Sequence, residues 1–243
     1  MICIRHSERI DRTEGDKIWF EMAKKYNMFK YDPMITENGK KLVHEVIEKI
    51  YKTPKSNKKI KINIDVDNIA TSPFTRCIET SIEIQNNFIK RFNKIIPICI
   101  EYGLSIESLK GDKQIWMDPD NIDYDIDKKK FFIIRKQINR PNLKYFSSSE
   151  IIKRFSDKCI IDKKYVPIIS IDKLLNTWTY KTSVNNITKT FQKLINRKKK
   201  MICVTHAENL GIVKSINENK WDHSNINYFA ENNYCSWIKL NKK

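Results

Sequence analysis

The chain has no Cys-x-x-Cys pair: Cys3, Cys77, Cys99, Cys159, Cys203 and Cys235 lie far apart, several of them inside apolar runs. A reduced thiol in such a run behaves as a small core residue, so a reducing compartment, cytoplasm or nucleus, is expected. No apolar stretch approaches the length of a membrane span, which argues against a membrane protein. Met1 opens directly into the first apolar run, so no signal or transit peptide is expected. Acidic residues are in deficit, 29 against 46 Lys and Arg, for a formal net charge of +17. That balance suits an anionic partner, a phosphorylated compound or a nucleic acid. The crowding of Lys, Asn and Ile, however, is what an A/T-biased coding sequence produces, and a nucleic-acid partner is disfavoured. The aspartate cluster Asp118, Asp120, Asp123, Asp125 and Asp127 lacks the glycine and glutamate of an EF-hand loop. His44 has no second histidine four residues on, so it reads as a surface residue and not a metal ligand. With no repeat, low-complexity linker or clear boundary, residues 1–243 are expected to form one domain with a full core.

What is present is concentrated at the amino terminus. Met1-Ile2-Cys3-Ile4-Arg5-His6-Ser7-Glu8-Arg9 is an apolar run that ends abruptly in charge. It reads as a buried strand with Arg5 and His6 at its carboxyl end, where ligands bind in open α/β sheets. The phrase recurs in Met201-Ile202-Cys203-Val204-Thr205-His206. Two such strands bring two imidazoles and a guanidinium to one sheet edge, and a planar fork of donors favours phosphate. A third segment, Ser72-Pro73-Phe74-Thr75-Arg76-Cys77-Ile78-Glu79-Thr80, sets Arg76 on the first turn of a helix.

Together the three segments resemble the histidine phosphatase superfamily. Its Arg-His-Gly-Glu motif is matched by Arg5-His6-Ser7-Glu8, its Ser-Pro-x-x-Arg-x-x-x-Thr motif by Ser72 to Thr80, and its late Thr-His by Thr205-His206. Asp32-Pro33-Met34-Ile35-Thr36-Glu37-Asn38-Gly39 is similar to the family's second segment. Within the superfamily the chain is most similar to the phosphatase domain of the suppressor-of-T-cell-receptor-signalling proteins. The pointers are Arg9 after Glu8, the Arg76-Cys77 pair, Thr205-His206-Ala207, Tyr165-Val166-Pro167 and Asn233-Tyr234-Cys235-Ser236. The ubiquitin-binding and SH3 modules of those proteins are not expected in these residues, so their partners do not carry over. Serine at position 7 replaces the usual glycine, which permits close backbone approach or a positive φ; the added side chain is expected to tighten the pocket or lower the rate.

The resemblance implies a phosphoglycerate-mutase-like three-layer α/β sandwich, a mostly parallel central sheet with helices on both faces. It implies a phosphomonoester hydrolase that forms a phosphohistidine on His6 and acts on a phosphoprotein or a small phosphate ester. Arg5, Arg9 and Arg76 would bind the phosphoryl oxygens and His206 would donate a further hydrogen bond. Glu101, at the family's acid position after the run Ile95 to Ile100, is the first choice for the general acid, with Glu107 and Asp16 behind it; Glu8 is expected to orient Arg5 or Arg9. No cofactor and no metal are called for, because arginines take the cation's role. Two alternatives stay open: a phospho-ligand-binding or scaffold module without turnover, and a phosphoglycerate-type mutase, against which Arg9 speaks. A homodimer is compatible with this reading.

Between these landmarks, Ile10 to Trp19 reads as a loop and Thr36 as the N-cap of a helix carrying the stripe Leu42, Val43, Val46, Ile47, Ile50 and Tyr51. Ile60 to Ile64 and Asn68 to Thr71 read as strand. A helix runs from Pro73 to about Lys90, and another from Asn176 to Ile195 with Trp178, Val184, Ile187 and Phe191 inward. Ala207 to Ile216 is the next helix and Asn232 to Leu240 the closing strand. Residues 105–176 break the alternation and read as an irregular cap-like insertion, with a basic and aromatic run from Lys128 to Phe146 and a capping box at Ser147 and Glu150.

Overall fold

The computed structural model describes residues 1–25, 32–51, 65–105, 147–176, 180–219 and 234–240, and the backbone of 122–125 and 130–133. Five strands make the central sheet: β1 (Ile2–Arg5), β2 (Asn68–Thr71), β3 (Ile98–Ile100), β6 (Met201–Thr205) and β7 (Trp237–Lys239). Their order is β3-β2-β6-β1-β7, all parallel except the edge strand β7. The two apolar phrases are immediate neighbours in register, Cys3 beside Cys203 and Arg5 beside Thr205. Burial on both faces explains why these strands read as continuous apolar runs and not as alternating ones.

Alternate residues feed two cores. Ile4, Ile69, Ile98, Ile100, Ile202 and Val204 face one cluster, with Val43 and Ile47 of α3 (Glu37–Ile50) and Ile78, Ile84 and Phe88 of α4 (Thr75–Phe92). Cys3, Ala70, Cys99 and Cys203 face the other, with Ile187, Phe191 and Leu194 of α7 (Tyr180–Ile195) and Leu210, Ile212 and Val213 of α8 (Ala207–Glu218). The result is the expected three-layer α/β sandwich. The smaller cysteine and alanine side chains of the strands all lie on the α7/α8 face, and all six cysteines are free thiols.

Local signals explain the helix starts. Thr36 caps α3 by accepting from the Gly39 amide, and Ser147 with Glu150 closes a reciprocal capping box on α5 (Ser148–Phe155). α4 ends at Asn93, which takes the left-handed conformation (φ 47°) that asparagine tolerates. Three expectations change. The stretch after Arg9 is not a loop but two helices, α1 (Ile10–Thr13) and α2 (Asp16–Lys25), because Trp19 and Ala23, four residues apart, are driven into the core. Part of the stretch read as an irregular insertion forms a helix, α6 (Ile171–Asn176), ahead of α7, and the closing strand is only three residues long, since Cys235 sits in a turn at φ 59°. Ile60 to Ile64, Trp178 and residues 106–146 of the expected insertion lie outside the described residues, apart from the backbone of an antiparallel strand pair, β4 (Ile122–Asp125) and β5 (Lys130–Ile133). Among the described residues, no helix is long and apolar enough to cross a membrane.

Candidate active site

His6 leaves the end of β1 with its amide still on the ladder, donating to the Thr205 carbonyl at 2.8 Å. His206 stands directly after β6, so adjacent parallel strands deliver the two imidazoles side by side. Their ring centroids are 5.3 Å apart in an edge-to-face arrangement, and both side chains are buried. His6 Nδ1 lies 2.8 Å from the Ser7 carbonyl, an acceptor only. The ring proton therefore sits on Nδ1, and the lone pair is on Nε2. Burial pushes the His6 pKa well below its ordinary 6.5, and the charges of Arg76, Arg9 and Arg5 push it the same way. Three guanidinium groups thus surround a neutral imidazole.

Each arginine is held differently. Arg76 donates from Nη1 to Asp32 at 3.4 Å and from Nη2 to His206 Nδ1 at 3.4 Å, and its guanidinium lies 4.3 Å from the centroid of the Phe74 ring. Because that His206 nitrogen accepts, the other, Nε2, carries the proton and donates to Ser72 Oγ at 3.0 Å. Arg5 packs over the Tyr234 ring at 4.7 Å. Arg9 is paired with the carboxylate of Asp11, its Nε donating at 2.9 Å.

Asp32, to which the sequence reading gave no role, is part of the candidate site. Besides Arg76 it receives the Thr75 amide at 2.9 Å and the Thr75 hydroxyl at 2.7 Å, so one buried carboxylate ties the start of α4 to the arginine on its first turn. Burial raises its pKa against the pull of Arg76. The Asp-Pro dipeptide ahead of the second motif was the available signal. The spacing of Arg76 and Thr80 also has a physical reason: the Thr80 hydroxyl donates to the Arg76 carbonyl one turn back and accepts the Ser7 amide at 2.9 Å.

Four expectations of the sequence change here. Glu8 orients neither Arg5 nor Arg9; its carboxylate accepts from Thr36 Oγ1 at 2.5 Å and from Asn38, and so anchors the start of α3. Ser7 does not narrow the pocket, because its hydroxyl turns to the Gly39 carbonyl at 2.6 Å and its φ is not positive. A Cβ at Gly39 would stand 2.9 Å from the Glu8 carbonyl oxygen and 3.2 Å from Ser7 Oγ, so glycine at 39 leaves the room that Ser7 and Glu8 occupy against α3. His44 is not a free surface histidine but a bridge from α3 to α4, 2.8 Å from Asn87 and 3.1 Å from Glu83.

The fourth change concerns the acid. Glu101 is fully buried, and both its oxygens are occupied: Oε1 by the amides of Gly103 (3.0 Å) and Ile169 (3.2 Å), Oε2 by the Tyr165 hydroxyl and the Ile168 amide (2.7 Å each). None of these partners belongs to the His6 pocket. Burial raises its pKa while the four donors pull it down, and three of those donors are backbone N–H groups that cannot turn to accept a proton. Such a carboxylate pins the turn after β3 to residues 165–169 and has no hand free for a leaving group. Glu107 and the Asp16 side chain lie outside the described residues.

This is the phosphoglycerate-mutase-like fold shared by the histidine phosphatases. No protein-family model matches the chain, and no curated protein matches it significantly. Among solved structures it is similar to the ecdysone phosphate phosphatase of Bombyx mori, solved in complex with tungstate. The two are 16% identical over 97% of this chain and 86% of that one, with a TM-score of 0.59. Weaker likenesses, on which nothing below rests, are to a mycobacterial hydrolase (11% identity, 98% and 88% coverage, TM-score 0.47) and a mycobacterial glucosyl-3-phosphoglycerate phosphatase (10%, 98% and 87%, 0.43).

Proposed function

We propose that the chain is a phosphomonoesterase that works through a phosphohistidine on His6. The observation that carries this reading is the state of His6: a buried, neutral ring, its Nδ1–H fixed on the Ser7 carbonyl and its Nε2 lone pair left for attack, with three arginines around it. Nucleophilic catalysis needs that protonation state, and the same arginines that hold it neutral would attract the substrate anion. Nε2 attacks phosphorus, the bond from phosphorus to the ester oxygen breaks, and that oxygen leaves with a proton from an acid. Water then attacks the phosphoryl group and returns a proton to that acid, the N–P bond breaks, and inorganic phosphate leaves a neutral His6. In the loose transition state of the transfer, charge on the non-bridging oxygens is the quantity to stabilise, and Arg5, Arg9 and Arg76 supply the cations. His206 joins them as a donor once Arg76 Nη2 leaves its Nδ1 for the substrate anion and the ring proton moves to Nδ1, a shift the Ser72 hydroxyl permits because it can donate to Nε2 as readily as it accepts. Glu107 and Asp16 are the carboxylic acids left for the leaving group. The insect neighbour is named for a small phosphate ester, which is the reason to test phosphorylated small molecules as well as phosphoproteins.

Glu101 is the observation that favours a second reading, a phospho-ligand-binding module without turnover, since the acid expected from the motif is used elsewhere. The two separate in one assay. A phosphomonoesterase releases phosphate from an aryl phosphate and loses that activity in His6→Ala with its fold intact by circular dichroism; a binding module retains tungstate without any turnover.

A further inference from the structure

At the opposite end of the sheet from His6 lies a cleft of about 310 Å³, at the amino ends of β2 and β6 where Asn68 and Met201 begin their strands. The length of β6 sets it about 13 Å from the His206 end, at roughly 3.3 Å per residue. Three cations, Lys164, Arg197 and Lys199, line it against one carboxylate, Asp162. That carboxylate is turned inward to its own loop, accepting the Lys164 amide at 3.0 Å. Arg197 is fixed, its guanidinium 4.7 Å from the centroid of the Tyr165 ring and its Nη2 donating to the Val166 carbonyl. Among the described residues no carboxylate pairs with any of the three, whereas Lys40, Arg91, Lys200 and Lys214 each have one. At the floor, the buried Asn68 amide donates to the Cys99 thiol.

We infer that this cleft is a second anion site, for a small multiply charged phosphate compound. Its volume falls at the lower end of small-molecule sites, and a concave lining with two positive charges in excess focuses the field on an anion. The placement of Arg197 by an aromatic face and a carbonyl presets one donor fork, while the two lysines add charge from the rim. Tyr165, the aromatic wall, is also the residue whose hydroxyl holds Glu101.

Inorganic pyrophosphate is the probe, titrated by calorimetry at low ionic strength into three proteins. The wild type should show two binding events. Lys164→Ala with Lys199→Ala, both at exposed positions, should weaken one event and leave the other. The weakening should be at least about 25-fold, since each lysine removed costs about fivefold against even a single anionic charge in water-like surroundings. Arg76→Ala should remove the other event and leave that of the cleft. A titration unchanged by the double lysine variant overturns the cleft site. A titration unchanged by Arg76→Ala speaks against the phosphate cradle at His6 and leaves the cleft untouched, so the two readings fail separately.

Discussion

Replacing Glu101 by glutamine separates an acid from a structural carboxylate. In the native arrangement two donors reach each oxygen: Gly103 N–H and Ile169 N–H at Oε1, and Tyr165 O–H and Ile168 N–H at Oε2. Glutamine keeps one acceptor. If its oxygen stays between the Gly103 and Ile169 amides, its NH2 group faces Ile168 N–H, which cannot reverse, and Tyr165 O–H, which must turn away. One buried donor is then orphaned and two charge-assisted bonds disappear, together about 3 kcal/mol. For a chain of this size that corresponds to a fall in melting temperature of roughly 6–12 °C. Well below the melting point, hydrolysis of an alkyl phosphate and of a nitrophenyl phosphate should be slowed by the same small factor. A general acid behaves otherwise, costing about 10²-fold with the poor alkyl leaving group and little with nitrophenolate. Calorimetric melting and single-turnover rates on both esters decide the matter. An unchanged melting temperature with a loss confined to the alkyl ester would refute the structural assignment.

Other consequences follow from the same geometry. Asp32→Ala leaves Arg76 buried without its carboxylate and should lower stability by about 3–5 kcal/mol in denaturant titration; a loss below about 1 kcal/mol would show that the pair does not hold α4. Burial raises the Glu79 carboxyl from its ordinary 4.5 to about 7. A raised carboxyl pKa favours the protonated folded state, so its contribution is complete below about pH 4.5 and is lost as pH rises through 7, on the order of 3 kcal/mol at most. Melting of Glu79→Gln should accordingly fall less over that range than melting of the wild type, and parallel profiles would count against it. With arginines supplying the positive charge, turnover of an aryl phosphate should survive EDTA; loss restored by a divalent ion would reassign the site.

The parts of this molecule legible in its sequence are those made by residues close together in the chain. Two apolar runs that end in histidine announce two buried strands, and their nearly identical pattern makes adjacency in one sheet natural. Arg76 was legible because Ser72 to Thr80 match the Ser-Pro-x-x-Arg-x-x-x-Thr motif of the family they resemble, with Thr80 one helical turn beyond Arg76. What could not be read was the partner of each polar side chain. Glu101 ends a strand as a catalytic acid would, but its fate is decided by Tyr165 and Ile168, 64 and 67 residues further on. The partner of Glu8 is likewise the hydroxyl that caps α3, and the room for Ser7 comes from a glycine 32 residues away. The helices α1 and α2 were hidden by their mixed charge, because Trp19 and Ala23 are the only apolar residues among their described side chains that are buried, and so short a stripe gives little periodicity.

The central claim is that His6 Nε2 becomes covalently phosphorylated. It is tested most directly by mixing the protein with a phosphorus-labelled aryl phosphate, quenching in alkali within one turnover and mapping the label by mass spectrometry. The account predicts an acid-labile, alkali-stable phosphoryl group on the peptide that contains His6, absent from His6→Ala. Phosphate release at full rate with no label on His6, or with equal label in the alanine variant, would contradict it.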